Sequence, residues 1–158
     1  MSTYQLACEV LDKCKSRGWR IATAESCTGG MIAVALTDVP GSSVVFERGY
    51  VSYSYPSKSD MLGVTAQMLQ AHGAVSEPVA AQMAEGALAN AGVDLAIAVT
   101  GVAGPGADGD KPEGLVWFAV VTKSGVVTHE KQFGAIGRKN VRAASVTTGL
   151  KMLRDALT

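Results

Sequence analysis

The sequence predicts a single three-layer α/β/α domain over residues 1–158, with a mixed, mostly parallel sheet and a C-terminal β-hairpin. Three observations carry that class. Short apolar runs alternate with helix-period segments in the order αβαβαααβββα, the pattern of strands joined by crossover helices. Asp94 to Val99 is nearly all apolar, as the central strand of a sheet covered on both faces must be. The last two strand-like runs are separated only by Lys123-Ser124-Gly125, so they pair as an antiparallel hairpin.

Each element follows from local chemistry. Ala7, Val10, Leu11 and Cys14 recur at helical spacing, which predicts an amphipathic helix over residues 3–16 ended by Ser16-Arg17-Gly18. Ile21 to Thr23 makes a short buried strand, and residues 28–37 a helix. Asp38 to Ser43 is a turn by residue type. Val44 to Ser54 is rich in β-branched and aromatic residues and reads as a strand, with Gly49 marking a bulge or a close backbone approach. Pro56 ends that strand because it cannot donate to a ladder and restricts Tyr55. Lys58 to Leu62 is expected to form one or two helical turns. Thr65 caps a helix ending near His72-Gly73, and Ser76-Glu77-Pro78 opens another that runs to about Ala91. A glycine-rich loop spans Thr100 to Gly114. Leu115 to Thr122 and Val126 to Phe133 form the hairpin, and the last helix covers residues 138–157.

Composition narrows the function class. At 158 residues the chain suits one domain with a sizeable core. Its 14 basic and 14 acidic residues cancel, so no global field favours nucleic acid or an anionic membrane. Hydrophobic residues make up 47% and glycines number 18, a compact, turn-rich composition unlike that of a disordered chain. Cys8, Cys14 and Cys27 are odd in number and lack a Cys-x-x-Cys pair, which favours reduced thiols and a cytoplasmic location. The start is polar and lacks a signal-peptide core, and no apolar run approaches the roughly 20 residues of a spanning helix.

Chemistry is expected outside the carboxyl ends of the strands. There the sequence sets Thr23-Ala24-Glu25-Ser26-Cys27-Thr28-Gly29-Gly30 between a strand and a helix start. A hydroxyl at such a junction has backbone N–H groups and the positive end of a helix dipole beside it. Ser26 needs a base. His72 and His129 are the only histidines; the first suits a helix end and the second the surface of the hairpin, which disfavours a Ser-His-Asp triad. Lys58 follows Tyr53-Ser54-Tyr55-Pro56-Ser57 at a strand end and can reach a neighbouring loop, and a neutral lysine can take a serine proton. The plain alternative is a solvated lysine. Tyr53 can hydrogen-bond the pair or shuttle a proton, or simply pack. Cys27 is a competing nucleophile, although packing is the more ordinary role of a small buried thiol. Glu25 either anchors the loop, meets a ligand hydroxyl or forms an ion pair. The five glycines between Thr100 and Gly114 let backbone amides approach a phosphate, yet the loop is neither a Walker loop nor a dinucleotide fingerprint. No His/Cys/carboxylate cluster has metal-ligand spacing.

Taken together, these motifs resemble the CinA C-terminal domain family, whose stand-alone members are nicotinamide-nucleotide amidases. The residues that carry the resemblance are Thr23 to Gly30, Asp38-Val39-Pro40-Gly41-Ser42-Ser43, Tyr53-Ser54 with Lys58, and His72-Gly73-Ala74-Val75-Ser76. Thr100-Gly101-Val102-Ala103-Gly104-Pro105-Gly106 and Lys111-Pro112 with Gly114 complete them. The resemblance implies hydrolysis of the carboxamide of nicotinamide mononucleotide, in pyridine nucleotide recycling, without metal or organic cofactor. It implies Ser26 as nucleophile, Lys58 as base and Tyr53 as assistant. Substrate contacts would come from Glu25, Cys27, Thr28, Gly29 and Gly30 and from Thr100, Gly101, Gly104 and Gly106, with Arg142 at the phosphate. A small-molecule nucleotide is then the partner, with neither nucleic acid nor membrane, and a homo-oligomer is the expected assembly. The chain departs from the family pattern at Tyr55-Pro56-Ser57, in place of Asn-Glu-Ala, and at Glu113, in place of a small apolar residue. Two other readings stay open: a non-catalytic nucleotide-binding module acting through a protein partner in competence or damage response, and a thiol hydrolase built on Cys27.

Overall fold

The helical repeat at the start of the chain becomes α1 (Thr3–Arg17), opened by a reciprocal Ser2–Gln5 capping box and closed by Gly18 in the left-handed region. The computed structural model describes residues 1–158. β1 (Ile21–Glu25) follows, then α2 (Met31–Thr37), a short 3-10 turn at Ser42–Val44, and β2 (Phe46–Val51). Three helices come next: α3 (Tyr55–Leu62), α4 (Ala66–His72) and α5 (Glu77–Ala91). β3 (Leu95–Gly101), β4 (Leu115–Thr122) and β5 (Gly125–Gln132) then lead to α6 (Arg138–Ala156).

The strands form one sheet in the order β2-β1-β3-β4-β5. β1 pairs parallel with both β2 and β3, while β4 lies antiparallel between β3 and β5. The chain leaves β1 to one side and returns to the other, so strand order reverses at β1. In open α/β sheets that switch point is where a ligand crevice forms.

Alternation along the strands separates two cores. Ile21, Leu95, Ile97, Val99 and Phe118 face α1, α2 and α6, while Ala22, Ala24, Ala96, Ala98 and Ala119 face the other way, toward α5. The alanine face lets α5, itself lined by Ala80, Ala84 and Ala87, lie close to the sheet. This is the three-layer, mixed-sheet architecture that the sequence predicts. No helix is long and apolar enough to cross a membrane.

Boundaries differ where turn chemistry outweighs residue type. The helix expected over 28–37 begins at Met31, because Gly29 and Gly30 adopt φ of +59° and +104° and keep the chain in a turn. The strand expected over 44–54 is confined to Phe46–Val51. Gly49 marks a close approach, its missing side chain facing the Thr23 hydroxyl, and the register shift lies earlier, between Ile21 and Ala22 on the partner strand. Pro56 occupies the first turn of α3, where its missing N–H is no loss. The segment carrying Lys58 is therefore a helix of two turns, capped by Ser54, whose hydroxyl accepts from the Ser57 N–H at 3.2 Å.

Candidate active site

Three strand ends converge around Ser26. The Ser26 N–H donates to the Val99 carbonyl at 3.0 Å, and the Ser52 N–H to the Glu25 carbonyl at 2.9 Å, so pairing runs one residue past β1 on one side and one residue past β2 on the other. The Glu25 side chain, 1% exposed, turns away from the crevice. It accepts from the Thr28 hydroxyl at 2.6 Å and from the N–H groups of Ile32 and Ala33 at 2.8 and 3.0 Å. A buried carboxylate thus caps α2, whose own N-cap, Gly30, has no side chain to do so. Glu25 and the buried Thr28 hydroxyl hold the loop from beneath and do not line the crevice. Arg142 also lies behind it: its Nε donates to the Cys27 carbonyl at 3.0 Å and its Nη2 to the Thr28 carbonyl at 3.4 Å. Gly29 makes room for that guanidinium, since a Cβ there would come within 3.3 Å of Nη2.

Lys58 reaches Ser26 from α3. Its Nζ donates to the Ser26 Oγ at 3.0 Å, to the Ser52 carbonyl at 2.8 Å and to the Tyr53 carbonyl at 3.2 Å. The side chain is fully buried, and burial lowers its pKa from 10.5 to about 8. What presses α3 into place is α5. Leu62, at the end of α3, is buried against it, and its carbonyl lies over Gly86, where a Cβ would come within 1.9 Å. With its proton removed, the Lys58 nitrogen has a lone pair at hydrogen-bonding distance from a serine hydroxyl, the arrangement of a Ser-Lys nucleophile.

The same setting disqualifies the neighbouring thiol. Cys27 is buried, and burial pushes its pKa up to about 12, so almost no thiolate exists near neutral pH. Neither histidine approaches: His72 ends α4 and His129 lies on β5, both exposed. No group of three His, Cys, Asp or Glu side chains is placed to hold a metal ion.

A cavity of about 290 Å³ opens over Ser26 and Lys58. Its far wall is the loop after β3, with Gly101, Gly104 and Gly106 among the lining residues. Thr100 also lines it, but its hydroxyl donates to the Ala74 carbonyl at 2.9 Å and ties β3 to the segment before α5. Tyr53 is divided: its carbonyl receives Lys58, while its phenol, half exposed, accepts from Arg138 Nη2 at 2.7 Å. A groove of about 430 Å³ between β5 and α6 holds His129, Lys131 and Lys151, and neither the Ser26 loop nor the loop after β3 reaches it.

Among the lining residues that the sequence did not assign to the site are Tyr55, Asp108 and Arg138. Tyr55 accepts the Ala74 N–H at 3.1 Å through its hydroxyl, and Arg138, the first residue of α6, bridges the Gly104 carbonyl at 2.7 Å and the Tyr53 phenol. The cue for Arg138 was its position at the start of the last helix, where the sequence reading chose Arg142, one turn further on.

A model of the CinA C-terminal domain matches residues 3–157. This chain belongs to the CinA C-terminal domain family. Among curated members and relatives, the nicotinamide-nucleotide amidohydrolase PncC of Escherichia coli (strain K12) is 45% identical over 150 residues, covering 94% of this chain and 91% of that protein. A CinA-like protein of Syntrophobacter fumaroxidans is 44% identical over 148 residues, and there the chain spans only 35% of the relative's length. The crystal structure of the competence/damage inducible protein CihA from Agrobacterium tumefaciens has a TM-score of 0.94 at 46% identity, with 99% of each chain covered. The CinA-domain motifs around Ser26, Tyr53 and Gly104 are the segments that meet at the cavity.

Proposed function

We propose that this chain hydrolyses the carboxamide of nicotinamide mononucleotide to nicotinate mononucleotide and ammonia, in pyridine nucleotide recycling in the cytoplasm. The observation that carries the reading is the 3.0 Å contact between a fully buried Lys58 amine and the Ser26 hydroxyl at the floor of the cavity. The similarity to nicotinamide-nucleotide amidohydrolases supplies the substrate class. Free thiols at Cys8, Cys14 and Cys27 suit a reducing compartment.

Neutral Lys58 takes the Ser26 proton as Oγ attacks the carboxamide carbon. The resulting oxyanion is held by the nucleophile loop, where the N–H of Cys27, a lining residue, has no backbone acceptor in the chain. Protonated Lys58 then gives its proton to the departing nitrogen, and ammonia leaves an ester on Ser26. A water, deprotonated by Lys58, attacks that ester; nicotinate mononucleotide leaves and Ser26 regains its proton. Tyr53 contributes by position, through the carbonyl that orients Nζ. Gly101, Gly104 and Gly106 form the wall against which the nucleotide lies.

The test is an ammonia-release assay with purified protein on nicotinamide, its riboside and its mononucleotide. Release from the mononucleotide, with nicotinate mononucleotide as the other product, is the expected result. Tight binding of the mononucleotide without release would replace the enzyme by a nucleotide-binding module.

A further inference from the structure

We propose that Arg138 reads the phosphate of the nucleotide and so makes the Ser26 cavity select a nucleotide over the corresponding nucleoside; the proposal rests on the amidase reading above. Two cationic side chains line the cavity, Lys58 and Arg138. Lys58 directs its ammonium at Ser26, Ser52 and Tyr53, inside the fold, where no substrate phosphate can reach it without displacing the base. Arg142 is committed to the Cys27 and Thr28 carbonyls behind the loop. Arg138 alone presents a cationic face to the open part of the cavity.

Its charge is also uncompensated. The ion pairs of the chain are Arg48 with Glu47 and Arg154 with Asp155, and neither involves Arg138. Its two hydrogen bonds go to neutral acceptors, the Gly104 carbonyl and the Tyr53 phenol, each at 2.7 Å. They use one N–H on each terminal nitrogen of a group that carries five donors, so the guanidinium is held in orientation while a fork of donors stays free. On the loop that lines the same cavity, the N–H groups of Gly104 and Ala107 have no backbone acceptor. A planar fork fixed at a cavity wall with amides alongside suits a phosphate dianion. Two acidic residues lie nearby: Asp108 also lines the cavity and is not paired with Arg138, while Glu113 lies outside the lining and accepts the Gly106 N–H, which holds the loop.

A neighbouring cavity of about 430 Å³ offers the competing location. It shares Tyr55, Ala74, Val75 and Asp108 with the Ser26 cavity and contains Lys111. Lys111→Gln therefore serves as the comparison variant.

The experiment measures binding of nicotinate mononucleotide and nicotinate riboside by calorimetry, which is independent of amide turnover. Wild type, Arg138→Gln, Arg138→Lys and Lys111→Gln are compared, with thermal melts to verify folding. Arg138→Gln should weaken the mononucleotide about 10- to 100-fold, the range for losing a charge-assisted pair, and leave the riboside within about twofold. Arg138→Lys should recover part of the loss, and Lys111→Gln should bind as wild type does. The proposal is overturned if Arg138→Gln weakens both ligands equally, if it weakens neither, or if the selective loss appears in Lys111→Gln. Selective loss in Arg138→Gln from an enzyme that releases no ammonia would keep Arg138 as the phosphate reader and remove the amidase reading.

Discussion

Changing the pH reads the proposed base directly. Burial holds Lys58 at about 8 against 10.5 for a solvated lysine. Near pH 7 the neutral, proton-accepting form is then about a tenth of the population. A solvated lysine would hold only about 0.03% in that form, so burial raises the active fraction about 300-fold. If Lys58 is the base, kcat/KM for nicotinamide mononucleotide climbs about 30-fold between pH ~6.5 and ~9, is half-maximal near ~8 and flattens above. The window starts at ~6.5 because the second ionisation of the substrate phosphate lies at about 6. Initial rates of ammonia release at low substrate give kcat/KM directly. A flat profile over this window would refute the reasoning, and so would one still climbing tenfold per unit beyond pH ~9.

The same shift carries a stability consequence. Because the folded-state value lies below the unfolded one, the folded chain binds fewer protons between about 8 and 10.5, and stability rises with pH across that window. Below it the buried ammonium costs on the order of 3 kcal/mol, offset in part by its bonds to the Ser52 and Tyr53 carbonyls. Lys58→Met should therefore raise the unfolding free energy measured in urea at pH 7 by about 1 kcal/mol net, while abolishing turnover; a lower value at that pH would contradict the burial penalty. Glu25→Ala leaves the Thr28 hydroxyl and the Ile32 and Ala33 N–H groups without their acceptor, and should cost about 3 kcal/mol or more in urea unfolding. An unchanged midpoint would show that the carboxylate is not the cap of α2. Gly86→Ala forces a methyl onto the Leu62 carbonyl and should cost about 1–3 kcal/mol while lowering kcat through displacement of α3. Wild-type kcat in that variant would mean that α5 does not set the position of Lys58.

The Ser26–Lys58 pairing was legible because Ser26 directly follows β1 and Lys58 lies on the segment that leaves β2, and parallel strands bring their carboxyl ends to one edge. Lys58 itself depended on a finer point. Pro56 reads as a strand terminator in isolation, and only the Ser54 cap shows that it opens a helix that carries the lysine inward. Glu25 was harder. Its acceptor role exists because α2 starts at Met31, after two glycines in the left-handed region, which brings the Ile32 and Ala33 N–H groups under the carboxylate. Arg138 and Arg142 are one turn apart on one helix, and periodicity puts both on the same side. Which of them reaches the cavity depends on where α6 crosses the nucleophile loop, a distance set by packing of the whole α1–α2–α6 layer. The double duty of Tyr53, carbonyl to the base and phenol to Arg138, could not be read from residue type at all.

The central claim is that the Ser26 hydroxyl attacks the substrate. Ammonia release from nicotinamide mononucleotide by Ser26→Ala, in protein whose thermal melt and affinity for nicotinate mononucleotide match wild type, tests it most directly. The account predicts a fall in kcat of about 10³-fold or more, as for loss of a serine nucleophile elsewhere. Turnover within about tenfold of wild type would contradict it, because no other side chain at the cavity floor stands where Lys58 can activate it.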